Sequence, residues 1–571
     1  MILIQNQRFE IGYDENDIEA KIISKLKLNN ISDIKDYKII KESLDARKHD
    51  DIHFNVTIGV KAENEEKIVK LVHNNKIMLT NPSKYVFPHI LNTDVREFLD
   101  IADEFRPVII GSGPAGYHAA VKLATSGFKP IVLERGKPVE ERVRDVEEFW
   151  KDTGRLDKDS NVCYGEGGAG TFSDGKLNTG NKDKGGYFKE VLETFVKYGA
   201  NPNILYKSKP HIGTDELRNI LVNMRKDIER LGGEIRFGHK LTGINHECFI
   251  DTFGYESELP IYELLIKGPE GEYKHKTHSV ILAIGHSARD TYKMLLSTGF
   301  NMEPKSFAMG VRVEHPAELI NKAMYGENYR ELYGDKLPNA DYKLTYHTKD
   351  EDNSRGVFSF CMCPGGYVVN SSTEDGHLVI NGMSYSDRAG RNSNSAIVVS
   401  INPEDFGSDD ILAGAAFQEK LEEAAYKEGK GKIPVQSYGS LAKSGTDERF
   451  NPDILGGYTE GDLKNVLPGF MIDAILEAMP YFGKKIKDYD NPKTILSAVE
   501  SRTSSPVRII RNKDMMSDIF QGIIPAGEGA GYAGGITSAA ADGIRSAEAI
   551  SEYLIEDLIE SYKNYEISKY M

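Results

Sequence analysis

Ile52, Phe54, Val56, Ile58 and Val60 alternate with more polar neighbours, the period of a half-buried strand. Ile18, Ile22, Ile23 and Leu26 recur at helical spacing, as do Ile68, Val69, Leu71 and Val72. These patterns predict a small α+β unit over residues 1–100, roughly β-α-β-β-α, with Asn81-Pro82-Ser83 and Pro88 marking its exit. At Val108 the pattern changes. Val108-Ile109-Ile110 is unbroken apolar chain, as in a parallel strand covered on both faces. Ala115, Ala119 and Leu123 then follow helical spacing, and Ile131-Val132-Leu133 makes a second apolar run ending on Glu134. The reading is strand, turn, helix, strand.

Further on, Val139, Val143, Val146 and Phe149 line one helix face, and Thr214 to Leu231 reads as an amphipathic helix capped by Thr214 and stopped by Gly232. Glu234 to Leu241 reads as one strand, Tyr262 to Lys276 as a hairpin around Gly268-Pro269, and Ser279 to Gly285 as a buried strand. Residues 300 to about 490 are Tyr-rich, with alternating runs at Ala308–Val313, Val357–Cys361 and Leu378–Ile380, which predict an inserted mixed sheet. Gly522-Ile-Ile-Pro-Ala is again a short apolar strand, like those before the insertion, and leads into a helix ending near Leu558. The expected domains are 1–100, a discontinuous 101–300 with 491–571, and an insertion at 301–490.

Charge and cysteine content narrow the classes. The net charge of −16 disfavours a nucleic-acid backbone as principal partner. No run of about eighteen apolar residues predicts a membrane span. Four cysteines, Cys163, Cys248, Cys361 and Cys363, are too few for a disulfide scaffold and fit a reducing, cytoplasmic setting.

The chemistry is concentrated in glycine-rich turns. Gly111, Ser112, Gly113, Pro114, Ala115 and Gly116 sit between the first apolar run and the helix. There Gly111 permits a tight turn, Gly113 lets a pyrophosphate approach the backbone, and Gly116 lets helix and strand pack closely. The helix N-terminus supplies N–H groups and positive potential to phosphates. Glu134, closing the second strand, is expected to bond the ribose hydroxyls of an adenosine. Arg135 is placed beside the same ligand; Arg142, on the helix with Val139 and Phe149, reads first as a cation on a solvated face and alternatively as one reaching back to the pyrophosphate. A second glycine loop, containing Gly167, Gly168, Ala169, Gly170, Thr171, Ser173 and Asp174, has no strand before it. It is read as backbone lying against a flat ligand. Gly285 ends a strand on the same side. Gly527, Glu528, Gly535 and Ile536 form a third cluster, suited to the far end of an extended dinucleotide. NAD does not require that distant cluster, so the ligand is read as non-covalent FAD. With no second nucleotide fold, any NAD(P)H would bind transiently.

Cys361 and Cys363 are separated by one residue, a spacing that strains a disulfide ring. With no further Cys or His at zinc-site spacing, no metal is expected. Packing or lining the cleft is the weightier role for the two thiols, with redox chemistry the alternative. His286 and Arg289 follow a strand end, where ligand crevices lie in open α/β sheets. These four are the catalytic candidates.

Ser43-Leu-Asp-Ala-Arg47, GEGGAGTFSDGKL (165–177), Pro210-His-Ile-Gly-Thr-Asp215, Gly285-His-Ser-Ala-Arg-Asp290, Cys361-Met-Cys-Pro-Gly-Gly366, Asn381-Gly-Met383 and GEGAGYAGGITSAAADG (527–543) span nearly the whole chain. In these blocks it resembles a bacterial family of poorly characterised FAD-dependent dehydrogenases within the glutathione-reductase-type FAD superfamily. The resemblance implies FAD and redox chemistry, and no particular substrate. The expected fold is α/β: a Rossmann-like FAD-binding domain, an inserted mixed β-sheet substrate domain and a small α+β N-terminal domain. The expected activity is hydride transfer between a small molecule and flavin N5 in the cleft between the first two. The rivals are a flavin monooxygenase, weakened by the lack of an Asp-Gly motif after the late strand, and an FAD-dependent RNA-modifying protein, weakened by the acidic charge. A third is a protein holding FAD only as a structural ligand. The oligomeric state is left open.

Overall fold

The computed structural model describes all residues except 82–83, 152–153, 181–182, 184, 248–258, 350–353, 445–447 and 570–571. Cys248 and the Pro82-Ser83 part of the expected linker lie outside the described residues.

The apolar runs pair as the central parallel sheet. Across it the strands are Ile523–Pro525, Val280–Leu282, Val108–Ile110, Ile131–Glu134 and Glu234–Phe237. Val108 aligns with Val280 on one side and Ile131 on the other. Alternate residues explain the unbroken hydrophobicity. Ile109, Val132, Ile281 and Ile524 face the helical layer, while Val108, Ile110, Ile131 and Leu133 face a three-stranded antiparallel meander. The meander is Lys240–Glu247, Ile261–Gly268 and Gly271–Thr277. The segment expected as one strand over 234–241 therefore divides between two sheets. Gly238, with φ +72°, makes the turn, and His239 N–H donates to Glu134 O at its far side.

Two helices form the packed side of the helical layer, Pro114–Thr125 and Ile536–Ser568. Their small residues let the backbones approach: a Cβ on Gly543 would lie 2.0 Å from Ala115 O. The second helix runs ten residues beyond the expected Leu558.

A seven-stranded sheet makes the other large domain. Its order is Thr345–His347, Gly356–Cys363, Asn392–Ile401, Phe307–Pro316, Ile495–Glu500, Ile433–Ser437 and Tyr458–Glu460. All pairs are antiparallel except the last. Ile495–Glu500 lies inside this sheet, so the domain runs past the expected boundary at 490. The small N-terminal sheet has the order Ile34–Asp45, His53–Ala62, Ile2–Phe9 and Ile77–Leu79. It ends sooner than expected, because Leu91, Val95, Phe98 and Leu99 already belong to the core between the parallel sheet and the helical layer. Among the described residues no helix is long and apolar enough to cross a membrane.

Candidate functional site

The carboxyl ends of the parallel strands open into a cleft of about 1820 Å³, counting open solvent at its mouth. Gly111 turns the chain out of its strand with φ +101°, and any Cβ there would lie 2.4 Å from Ala283 O. Gly113 caps the helix Pro114–Thr125 with no side-chain hydrogen bond. Its missing Cβ leaves the helix N-terminus open to the cleft, the nearest atom to such a Cβ being Gly168 Cα at 3.9 Å. The helix Ile536–Ser568 also begins at the cleft, capped by Gly535 without a side-chain bond. Two positive helix ends thus face one void.

Of the expected cofactor residues, Gly111, Gly113, Pro114, Ala115, Glu134, Arg135, Gly168, Ala169, Gly170, Ser173, Asp174, Gly285, Glu528, Gly535 and Ile536 line the cleft. Ser112, Gly116, Arg142, Gly167, Thr171 and Gly527 are not among its lining residues. They support it from behind. A Cβ on Gly116 would lie 1.9 Å from Gly111 O, and one on Gly527 would lie 2.9 Å from Ala115 Cβ.

Arg142 corrects an expectation. It is fully buried, and its guanidinium donates to the carbonyls of Asn161, Val162, Gly165, Glu166 and Gly168 and to Thr171 Oγ1. Every donor is spent holding the second glycine loop, so none reaches a pyrophosphate. Burial lowers its pKa to about 10, well above neutrality. Thr214 is also reassigned. Gly213 is the cap residue, and Thr214 Oγ1 donates to Ser173 O, tying the helix to the same loop.

Glu134 lines the cleft, yet its carboxylate is occupied. Oε2 accepts from Ser112 N–H at 2.9 Å and Ser112 Oγ at 2.7 Å; Oε1 accepts from Gly136 N–H at 2.9 Å and Gly165 N–H at 3.0 Å. Four donors match the roughly four lone-pair positions of a carboxylate. Any ribose bond is therefore shared with the brace that joins the two glycine turns. Arg135 stacks over the Tyr164 ring at 4.5 Å and bonds Asp290 at 2.9 Å.

Glu528 is different. Among the described residues no side-chain hydrogen bond reaches its carboxylate, and His286 Nδ1 lies 3.9 Å from Oε1. Burial pushes the Glu528 carboxyl up to about 7, against the pull of Lys305. Burial, with Arg502 and Arg289 nearby, lowers His286 to about 4, so the imidazole is neutral at pH 7.

The four catalytic candidates separate. His286 and Cys361 line the cleft; Arg289 and Cys363 do not. Arg289 is buried, with Nη1 and Nη2 2.8 and 2.7 Å from Glu422, while Arg502 grips the same carboxylate at 2.9 Å. Burial pushes Glu422 up, but Arg502 and Arg289 outweigh it and hold it well below the usual carboxylate range. Arg289 thus positions Glu422 and, through it, Arg502, which lines the cleft. Cys363 is fully buried in its sheet, with its thiol donating to Cys361 O at 3.3 Å. Cys361 sits at a register break in the pairing of its strand, with φ +42°, and is open to the cleft. Poor solvation inside the cleft nonetheless pushes its thiol up, against the pull of Lys176.

Sequence reasoning quotes Asn381 and Lys176 within its motif blocks without giving either a role, and does not single out other lining residues, among them His239, Lys240, Glu500 and Arg502. Lys176 is within its reach, since it closes the GTFSDGK run. The others come from strand ends or loops that only tertiary folding brings to the cleft.

Residues 306–503 match the family model described as "FAD-dependent protein, C-terminal domain-like", and residues 1–61 match a domain of unknown function, DUF8436. An "Uncharacterized protein" of Clostridium beijerinckii is 43% identical over 562 residues, covering 96% of this chain and 98% of that one. The chain belongs to that protein's family. FAD is the cofactor. The residues at the cleft suit this: two open helix N-termini, a glycine cradle that a Cβ would fill, and a buried, unpartnered Ser287 Oγ on the wall. Among solved structures, the family member is similar to a flavoprotein/dehydrogenase from Cytophaga hutchinsonii at 11% identity and TM-score 0.32, covering 80% of this chain and 82% of the other. It is also similar to CtdE in complex with FAD, at 11% identity and TM-score 0.31, covering 81% and 90%.

Proposed function

We propose that this protein is an FAD-dependent oxidoreductase of the glutathione-reductase-type superfamily, acting on a small molecule held between the parallel-sheet domain and the seven-stranded domain. One observation carries this reading. Both domains wall a single cleft, with Gly113 and the Gly168–Asp174 loop on one side and Phe360, Cys361, Asn381, Glu500, Arg502 and Thr503 on the other.

The N–H groups of Gly113 and Ala115, Pro114 having none, and the N-terminus at Gly535 would hold the phosphates and the far end of FAD, with Arg135 and Tyr164 beside its adenosine. FAD, when bound, supplies two-electron hydride chemistry. The chain supplies orientation and proton handling. Glu528, near half-protonation at neutral pH, can give or take a proton at a carboxylate oxygen. Neutral His286 lies beside it. The Arg289–Glu422–Arg502 cluster fixes the wall that the substrate meets.

The test is direct. Heat release and chromatography should yield FAD, and anaerobic addition of a substrate should bleach the flavin without oxygen. FMN, or no flavin, overturns the reading. Reduction that proceeds only with oxygen uptake and a hydroxylated product moves it to a monooxygenase.

A further inference from the structure

Lys176 and Asp174 face the cleft where the second glycine loop meets the seven-stranded domain. Asp174 is 4% exposed, and its Oδ2 accepts from Lys176 Nζ at 2.7 Å and from Arg388 Nη2 at 2.6 Å. Two cations therefore share one carboxylate oxygen, leaving the group with one net positive charge. The other oxygen, Oδ1, is buried, and among the described residues no well-formed hydrogen bond reaches it, though the Ser384 hydroxyl lies close enough to help hold the carboxyl low. Lys176 also donates to Met362 O. An ammonium has three protons, so one remains after these two bonds. Lys176 keeps a partly exposed side chain at 29%, while Arg388 behind it is at 16%.

The surroundings do not cancel this charge. Glu500, on the same wall, is paired with buried Arg312 at 2.9 Å. Burial raises the Cys361 and Cys363 thiols, which stay neutral. Asn381, another lining residue, accepts from Gly382 N–H through Oδ1 and so turns that oxygen away from any anion. The recess thus combines a cationic donor, a carboxylate acceptor beside it and an excess positive charge in a poorly solvated place, where charge-assisted bonds are strongest.

We propose that Lys176 and Asp174 form the substrate's head-group subsite, and that the substrate is a small carboxylate bearing an O–H or N–H on the adjacent carbon. Lys176 takes the carboxylate. Asp174 Oδ1 accepts the neighbouring donor, which a simple fatty acid lacks. Arg388 and Met362 O hold the pair in place. This rests on the oxidoreductase reading, since it assigns one end of the same cleft.

The experiment uses FAD-loaded protein and follows perturbation of the flavin absorbance on titration with lactate, alanine, lactamide and propionate. Lactate or alanine should bind at least tenfold more tightly than lactamide or propionate. Lys176→Met should erase that preference, and Lys176→Arg should retain most of it, which separates lost charge from misfolding. Asp174→Asn should narrow the gap between lactate and propionate. FAD content and the melting curve are measured for each variant. Absence of FAD from the wild-type protein defeats the oxidoreductase reading instead. With FAD bound, three results overturn the subsite: no response to lactate or to alanine, an unchanged preference in Lys176→Met, or loss of FAD from a still-folded Lys176→Met. The last would assign the pair to the cofactor.

Discussion

Two glutamates stand at or just past the carboxyl ends of two strands of one sheet, with two strands between them, and line one cleft, yet they are built for opposite purposes. Glu134, after the strand Ile131–Glu134, accepts four hydrogen bonds from Ser112, Gly136 and Gly165. Glu528, beyond the strand Ile523–Pro525, has burial without such donors, and its carboxyl rises to about 7. Residue type and strand-end position are shared; the local backbone differs. Around Glu134 the chain returns three N–H groups to the carboxylate. Around Glu528 the Gly529 carbonyl, which could offer only an acceptor, is taken by Tyr292 Oη–H at 2.8 Å. A carboxylate with filled lone pairs braces the fold, while one without them can respond to a ligand or a proton.

The strongest test of this contrast is Glu134→Ala. It should strand three buried N–H groups as well as remove the acceptor, at a cost of about 1–3 kcal/mol for each unsatisfied group. Denaturant melts should show a loss of several kcal/mol together with loss of FAD. A purely ligand-binding glutamate would leave the melt unchanged, and that result would break the comparison.

Arg142→Met should come next, because it releases five carbonyls from one buried cation. We expect destabilisation of about 2–4 kcal/mol, in the range for losing a buried charged network. Limited proteolysis should then cut within 161–171. Retained protection of that loop would show that other contacts hold it.

Glu528→Gln should have a smaller effect and a distinctive pH signature. A carboxyl raised from 4.5 to about 7 in the fold favours its protonated state. Its contribution to stability is full below the unfolded pKa and is lost as pH rises through the folded one. In FAD-free wild-type protein, stability should therefore decline between about pH 4.5 and 7. Glu528→Gln should lessen that decline without lowering the melt at pH 7, the remainder coming from Glu314, whose carboxyl burial also raises to about 7. An identical pH profile in the variant would remove Glu528 as its source.

The two ends of the cleft also differ in how legible they are. The unit from Val108 to Glu134 can be read because strand, turn, helix and strand are contiguous, so local spacing carries the geometry. The Gly167–Asp174 loop reads as ligand-facing from its glycines; Gly168, Ala169, Gly170, Ser173 and Asp174 of it line the cleft, while Gly167, Thr171 and Phe172 do not. Arg142 and Arg289 mislead for a common reason. A cation near a glycine loop or a strand end looks the same in sequence whether it faces a ligand or is enclosed by carbonyls or a carboxylate. Glu422, which encloses Arg289, lies on a distant helix, Ala413–Glu428.

The chain's own order of residues determined the parallel strands, the glycine turns, the helix N-termini and two strands of the second sheet, those holding Ala308–Val313 and Val357–Cys361. Each depends on neighbours within a few positions, where periodicity and backbone freedom act directly. Tertiary structure alone decided which carboxylate is saturated and which is left to titrate, that Ile495–Glu500 belongs inside the seven-stranded sheet, and that Cys361 opens to the cleft while Cys363 does not. Those outcomes depend on burial and on hydrogen-bond partners from distant segments, and a side chain's charge, pKa and accessibility are properties of that assembled environment.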